Sequence, residues 1–393
     1  MGERAMLTLS GPATEIRGFA DTGTRPVIRV TDNPSRPRGL RASEALLVTG
    51  CDAVEGFGAY VALERDVAKL DTLPPGSQTI ILPESFSYLS GGDILRIAPR
   101  RKQVRTLYRR HSAHNSILLT ERCNNYCLMC SQPPKDIDDS WIIDEVLAAI
   151  PLIDPATRNI NLTGGEPTLL GEDLLRILRL AKSYLPHTAL HILSNGRRFS
   201  DRDFAARYAA IDHPDIMVGI PVYSDISTIH DYVVQADGAF DETIRGILRL
   251  KEHGQAVEIR VVVHQQTAER LPQLAEFIAR NLTFVDQVVF MGLEMTGFTR
   301  ANLDSLWIDP VDYREELYRA VTYLADSRIK TSVYNHQLCV IDERLWPFAV
   351  KSISDWKNEY LDQCDGCVKK GDCGGFFSSA VFRHSDHLAP IFS

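Results

Sequence analysis

The sequence predicts an α/β chain built round a partial (β/α)6 barrel, with a β-rich stretch before it and a cysteine-bearing extension after it. Three observations carry this expectation. From about residue 115 to 300, strand-like runs alternate with helix-like stretches six times. Before about residue 110, short apolar runs recur between Gly, Pro and Asp clusters, with no long amphipathic helix. Seven of the eight cysteines fall into two groups, one after the first strand of the repeat and one near the end.

Residues 1–110 show strand-like runs at Met6–Leu9, Val27–Val30, Leu46–Val48, Tyr60–Leu63, Thr79–Leu82 and Asp93–Ile97. A small barrel or sandwich is the expected result. Such an accessory domain can offer a strand edge to a peptide or partner. Arg100–Arg110 holds six Lys or Arg in eleven residues, which reads as a solvated linker or an anion-binding patch.

Residues 111–300 form the core. Expected strands are Ser116–Thr120, Asn159–Thr163, Ala189–Ser194, Ile216–Val222, Val257–His264 and Val288–Leu293. Helical stretches between them include Ile142–Ile150, Leu174–Tyr184, Phe240–His253 and Leu271–Asn281. Consecutive βα units imply parallel strands and right-handed crossovers, with chemistry at the C-terminal strand ends. Eight units would close a full barrel, and six leave it splayed. In residues 301–393 a helix is expected at Val311–Ala325. After it, regular periodicity fades and metal ligation can stand in for a core.

Composition narrows the setting. The chain has 393 residues, 44% hydrophobic and 24% charged, as in ordinary globular proteins. No apolar run spans a bilayer, and the start lacks a secretory h-region and the Ser or Thr of a myristoylation site. A cytoplasmic protein is expected, with no membrane partner. Net charge of −8 and a pI near 5.8 argue against a nucleic-acid partner. In a reducing compartment, clustered cysteines point to metal or redox work rather than disulfides.

Cys123, Cys127 and Cys130 follow the first core strand with C-x3-C-x2-C spacing. Three thiolates on one loop can hold three irons of a cubane cluster and leave the fourth open. A zinc knuckle with a distant fourth ligand is the alternative. The second strand ends in Gly164-Gly165-Glu166-Pro167, where glycines allow close approach to backbone and Glu166 offers a carboxylate. A plain strand-to-helix turn would read the same way. Ser194-Asn195-Gly196 follows strand three, and Tyr223-Ser224-Asp225 follows strand four, ahead of His230-Asp231 and Gly238-Ala-Phe240-Asp241.

Together these motifs resemble the radical SAM superfamily. The resemblance implies a [4Fe–4S] cluster on Cys123, Cys127 and Cys130, with S-adenosylmethionine chelating the open iron. It implies that Gly164, Gly165 and Glu166 hold the methionine amino group, and that Ser194, Asn195 and Ser224 face the ribose and carboxylate. Arg260 on strand five is a candidate carboxylate partner, or else a solvent-facing strand arginine. The residue before the third cysteine is usually aromatic in the family and lies near adenine; here it is Met129, whose sulfur can also pack a ring. The block Thr120–Lys135 further resembles the radical SAM maturase of the His-Xaa-Ser system. That likeness implies a ribosomally made precursor peptide, a small companion protein, a second radical SAM enzyme and a flavodoxin- or ferredoxin-type reductant.

Cys364, Cys367 and Cys373 form C-x2-C-x5-C-Gly-Gly, with Cys339 lying 25 residues before Cys364. Four thiolates suit a zinc ribbon or a fully ligated cluster. The run resembles the auxiliary-cluster tails of peptide-modifying radical SAM enzymes, which implies a second [4Fe–4S]. Cys51 reads as an inert buried thiol. His264, ending strand five, reads as a core histidine or a substrate contact. The sequence therefore points to a radical SAM peptide maturase. The alternatives are a radical SAM enzyme acting on a small metabolite, and a zinc-binding scaffold.

Overall fold

The computed structural model describes residues 7–20, 25–351 and 359–392. The chain start, and with it Met6, lies outside them. The chain divides into two compact units. One comprises Met1–Ile117, Ser140–Ile160 and Arg176–Thr188; the other comprises Leu118–Asp139, Asn161–Leu175 and Ala189–Ser393.

The N-terminal strands are β1 (Ser10–Pro12), β2 (Glu15–Arg17), β3 (Val27–Thr31), β4 (Glu44–Leu47), β5 (Ala59–Leu63), β6 (Thr79–Leu82), β7 (Ile94–Ala98) and β8 (Gln103–Tyr108). They form one sheet in the order β1-β8-β7-β3-β4-β5-β6-β2. The two end strands belong to one continuous segment. β1 pairs antiparallel with β8, and β2 pairs antiparallel with β6. Between them Ala13 donates its amide to Lys102 O and Thr14 to Ile81 O. The segment Ser10–Arg17 therefore closes the sheet on itself. β1 and β2 are themselves the end strands of the sheet, three residues each, so the strand edge left for a peptide is short. Val30, Leu47, Val61, Ile80, Phe86, Leu95 and Val104 are buried in one cluster and fill the inside.

One expectation is corrected here. Arg100–Arg110 is no linker: it contains β8. Val104, Thr106 and Tyr108 are buried while Gln103, Arg105 and Leu107 are not, so a period-2 strand runs through the basic residues.

The second sheet carries β9 (Asn115–Thr120), β10 (Asn159–Gly164), β11 (Ala189–Leu193), β12 (Ile216–Pro221), β13 (Ala256–Val262), β14 (Gln287–Met291), β15 (Thr331–Tyr334) and β16 (Ala349–Val350). Strand order follows chain order from β9 to β16. Every pairing from β11 onward is parallel. This is the α/β architecture expected, with six strands within two residues of their expected bounds at every end. β15, reached through the helix Arg314–Asp326, and the two-residue β16 extend it. Val257, Ile259 and Val261 of β13 are buried, while Glu258, Arg260 and Val262 share the opposite face. Among the described residues, no helix is long and apolar enough to cross a membrane.

Candidate functional site

The loop Cys123–Cys130 leaves the C-terminal end of β9. Burial pushes the Cys123 thiol up to about 11, aided by Glu166 and Cys130. Burial likewise pushes Cys127 up to about 12, aided by Cys130 and Cys123. Cys130 is also raised by burial. The three thiols are half-buried and held toward their neutral form, Cys123 and Cys127 also by neighbouring cysteines, and soft sulfur donors suit iron–sulfur ligation.

The loop is held from four directions. From the β10 turn, Gly165 N donates to Thr120 O and Glu166 N to Arg122 O, both at 2.8 Å. From the β11 turn, Asn195 Nδ2 donates to Asn124 Oδ1 at 2.7 Å. Arg197 Nη1 donates to Asn124 O at 2.8 Å and to Asn125 Oδ1 at 2.7 Å. From the helix after β12, Val234 O and Val233 O accept from the amides of Tyr126 and Leu128. After β14, Asn302 Nδ2, Thr299 Oγ1 and Phe298 N donate to the carbonyls of Leu128, Met129 and Cys130, respectively.

The glycines act on the chain itself. A Cβ at Gly165 would lie 2.1 Å from Arg122 O and 3.2 Å from Cys123 Cβ. One at Gly164, where φ is +147°, would lie 2.3 Å from Thr120 O. The pair lets the root of the cysteine loop press onto the β10 turn.

Glu166 is fully buried. Its Oε1 accepts from Thr168 N (2.9 Å), Thr168 Oγ1 (2.6 Å) and Ser194 Oγ (2.8 Å). Its Oε2 accepts from Asn195 N at 2.6 Å. Burial raises its pKa against these hydrogen bonds. The structure thus brings Glu166, Ser194 and Asn195 together, and the carboxylate ties the β10 and β11 turns to each other. Ser224 is buried, and its hydroxyl accepts from Ile226 N at 3.1 Å. Its neighbour Asp225 is held by both arms of Arg270, at 2.9 and 2.6 Å. Met129 is buried beside Tyr223, Val233, Val234, Ala239 and Leu306.

Arg260 is mostly buried rather than solvent-facing. Its Nη1 donates to Glu258 Oε1 at 2.7 Å, and its Nη2 lies 3.1 Å from Met291 Sδ. His191 Nε2 is 3.5 Å from the same Glu258 oxygen, and burial lowers this histidine to about 4. His264 is fully buried and, among the described residues, has no hydrogen-bond partner at either ring nitrogen. Burial lowers it to about 3, and its ring lies 6.1 Å from that of Tyr223.

The second group also converges. Cys339, Cys364, Cys367 and Cys373 line one recess of about 380 Å³ with Tyr360, Phe376 and Leu388. Tyr360 OH donates to Lys370 O and Cys373 O, both at 2.9 Å. Ile391 N points at Cys367 Sγ (3.4 Å) and Gly375 N at Cys373 Sγ (3.5 Å). Amides directed at sulfur suit a thiolate site. Cys51 stands apart, half-buried, its Sγ 3.4 Å from Leu47 O.

Sequence reasoning missed Asn124, Asn125, Arg197, Thr299 and Asn302. Asn124 and Asn125 lay in view between the cysteines. Their partners come from turns more than 70 residues away, and nothing periodic marks them.

The stretch that carries the β9 loop and the turns after β10, β11 and β12 is similar to a known family. Residues 117–278 match the family model of the Radical SAM superfamily. The chain is 24% identical over 223 residues to a probable GTP 3',8-cyclase of Sulfurisphaera tokodaii, covering 53% of this chain and 68% of that one. It is 28% identical over 159 residues to the pre-heme d1 synthase of Dinoroseobacter shibae, covering 40% and 38%. It is 25% identical over 182 residues to the Fe-coproporphyrin III synthase of Methanosarcina barkeri, covering 46% and 43%. The chain thus spans two thirds of the first of these relatives and less than half of the other two. Among solved structures, SuiB of Streptococcus suis bound to S-adenosylmethionine aligns at a TM-score of 0.45 and 16% identity, over 58% of this chain and 51% of that one. The enzyme anSMEcpe with AdoMet and the Cp18Cys peptide aligns at 0.49 and 15%, over 70% and 92%.

Proposed function

We propose that this chain is a radical SAM enzyme that acts as a peptide maturase. It binds S-adenosylmethionine at the first cysteine group and modifies a ribosomally made peptide of the His-Xaa-Ser type. The observation that carries the reading is the pair of separate thiol sets, three on the β9 loop and four in the tail recess. When bound, the first cluster and S-adenosylmethionine supply a one-electron cleavage that delivers a 5'-deoxyadenosyl radical. The chain's own groups orient and shield. The β10 turn at Gly164–Glu166 presents backbone to the methionine amino group. Glu166, Ser194 and Asn195 hold that turn in register with the next. Ser224 faces the ribose side, Arg260 the carboxylate, and Met129 the adenine. The tail cysteines hold the auxiliary cluster. The N-terminal β unit recognises the peptide or its companion protein, by the short outer edges of β1 and β2 or through side chains.

The decisive experiment is anaerobic co-expression with a candidate precursor peptide, followed by tandem mass spectrometry. A modified peptide, with 5'-deoxyadenosine formed only when that peptide is present, supports the reading. A second reading, turnover of a small metabolite, draws on the names of the three relatives. It gains if 5'-deoxyadenosine forms without peptide and rises with a nucleotide or tetrapyrrole.

A further inference from the structure

We infer that the cavity between the ends of β13–β15 and the segment 374–385 binds a ring-bearing side chain of the substrate. The inference rests on the reading of the chain as a radical SAM enzyme and adds what its substrate must present. The recess holds about 670 Å³ of space, part of it open to solvent, so it suits one side chain rather than a whole small molecule. Its floor is Val263 and Gly292–Met295, at the C-terminal ends of β13 and β14. Trp307, Tyr313 and Phe376 supply aromatic walls.

The polar groups round this space are largely satisfied by the chain. His336 Nδ1 lies 2.8 Å from Tyr334 O, so Nδ1 carries the proton, and Nε2 accepts from Tyr313 OH at 2.8 Å. Gln337 Nε2 donates to Gly375 O and Ser385 Oγ to Asp309, both at 2.8 Å. The larger part of the surface facing this space is apolar and includes aromatic side chains, which favour a ring by stacking or edge contact. Arg383 and Glu294 add one charge of each sign, and Glu294 is already engaged within the chain. The Arg383 guanidinium is 5.5 Å from the Trp307 ring, half-exposed, and only loosely paired with Asp386 at 3.9 Å. It suits a carbonyl or carboxylate beside the ring.

Location gives the cavity its chemical interest. Leu293 lines it and also packs on the apolar cluster of Met129 and Tyr223 at the first cysteine loop. Gln337 and Phe376 line both it and the four-cysteine recess. A ring held there lies one side-chain layer from each cysteine group.

Equilibrium dialysis of the full chain, loaded anaerobically with its clusters, tests this with N-acetyltyrosinamide, N-acetyltryptophanamide and N-acetylleucinamide as probes. The ring probes should bind at least tenfold more tightly than the leucine probe. Ala380→Trp, which fills the cavity, should abolish that binding, and Trp307→Leu should narrow the ring-to-leucine ratio below threefold. Equal affinity for all three probes overturns the inference, as does ring binding that survives both substitutions. If Ala380→Trp loses iron and is misfolded, Trp307→Leu alone decides. The readout is binding without turnover, so it stands or falls separately from S-adenosylmethionine cleavage.

Discussion

The two cysteine groups differ in what holds them. The first sits on one short loop, pinned by hydrogen bonds from four turns of the surrounding sheet. The second draws on Cys339 just after β15 and three cysteines in a region whose described regular structure is short 3-10 turns and one isolated bridge. The lesson is that neighbouring elements of the sheet brace the first group, whereas the second is held by a few turn contacts such as those of Tyr360 with Lys370 and Cys373.

Replacing Cys123, Cys127 and Cys130 with Ala together should give the largest effect. Iron should fall from about eight to about four per chain, by the stoichiometry of two cubane clusters. The loop should keep its protection from protease, because its braces are backbone and amide bonds. Replacing Cys364, Cys367 and Cys373 should cost the other half of the iron and also expose residues 359–392 to protease. Equal protease sensitivity of both variants would erase the contrast.

Gly165→Val comes next. With Arg122 O only 2.1 Å from the new Cβ, the turn and the loop root must part. A loss of about 2–4 kcal/mol is expected. Both the melting temperature and iron at the first site should drop. A stable variant with full iron would show that the loop moves freely after all.

Acid should act on the unit that carries both groups. Burial lowers His191, His230 and His336 to about 4 and His264 to about 3. The unfolded chain takes up these protons near its ordinary value of about 6.5, and the folded one does not. Stability is therefore complete above about pH 6.5 and declines as pH falls toward the folded values. By pH 5 the decline is up to about 2 kcal/mol for each histidine. Urea midpoints at pH 7 and pH 5 check the sign; a higher midpoint at pH 5 would refute it.

Glu166→Gln should cost about 1–3 kcal/mol, since an amide NH2 must then face a donor in a closed network. Loss of S-adenosylmethionine binding with retained iron is the expected signature. Asn302→Ala is the mildest change, about 1 kcal/mol for one hydrogen bond to the loop. It should quicken the release of iron to a chelator without altering the amount bound. No change in that rate would mean that the other three braces suffice.

The core was readable because burial imprints a period on sequence: β9 to β14 announced themselves through apolar runs separated by amphipathic helices. β8 was hidden because its exposed face and its flanks carry Arg and Lys, and charge masked the alternation of Val104, Thr106 and Tyr108. β1 and β2 are three residues each, too short for any period. At the site, the cysteines and the Gly-Gly-Glu turn were legible from spacing. Their physical roles were not: Gly165 makes room for backbone, and Glu166 binds two turns together. Both roles depend on chain segments that meet only in three dimensions.

The closing segment of the N-terminal sheet has a consequence for folding order. Ser10–Arg17 must find Gln103–Tyr108 on one side and Thr79–Leu82 on the other. Those partners lie more than 60 residues further along the chain, so the earliest-made strand is also the last that can be zipped in. Until β8 is made, the nascent sheet keeps at least one raw margin. A single segment then seals both margins almost together, which makes closure a late and cooperative step. Amide exchange at Ser10–Arg17 should accordingly be lost and regained as one block.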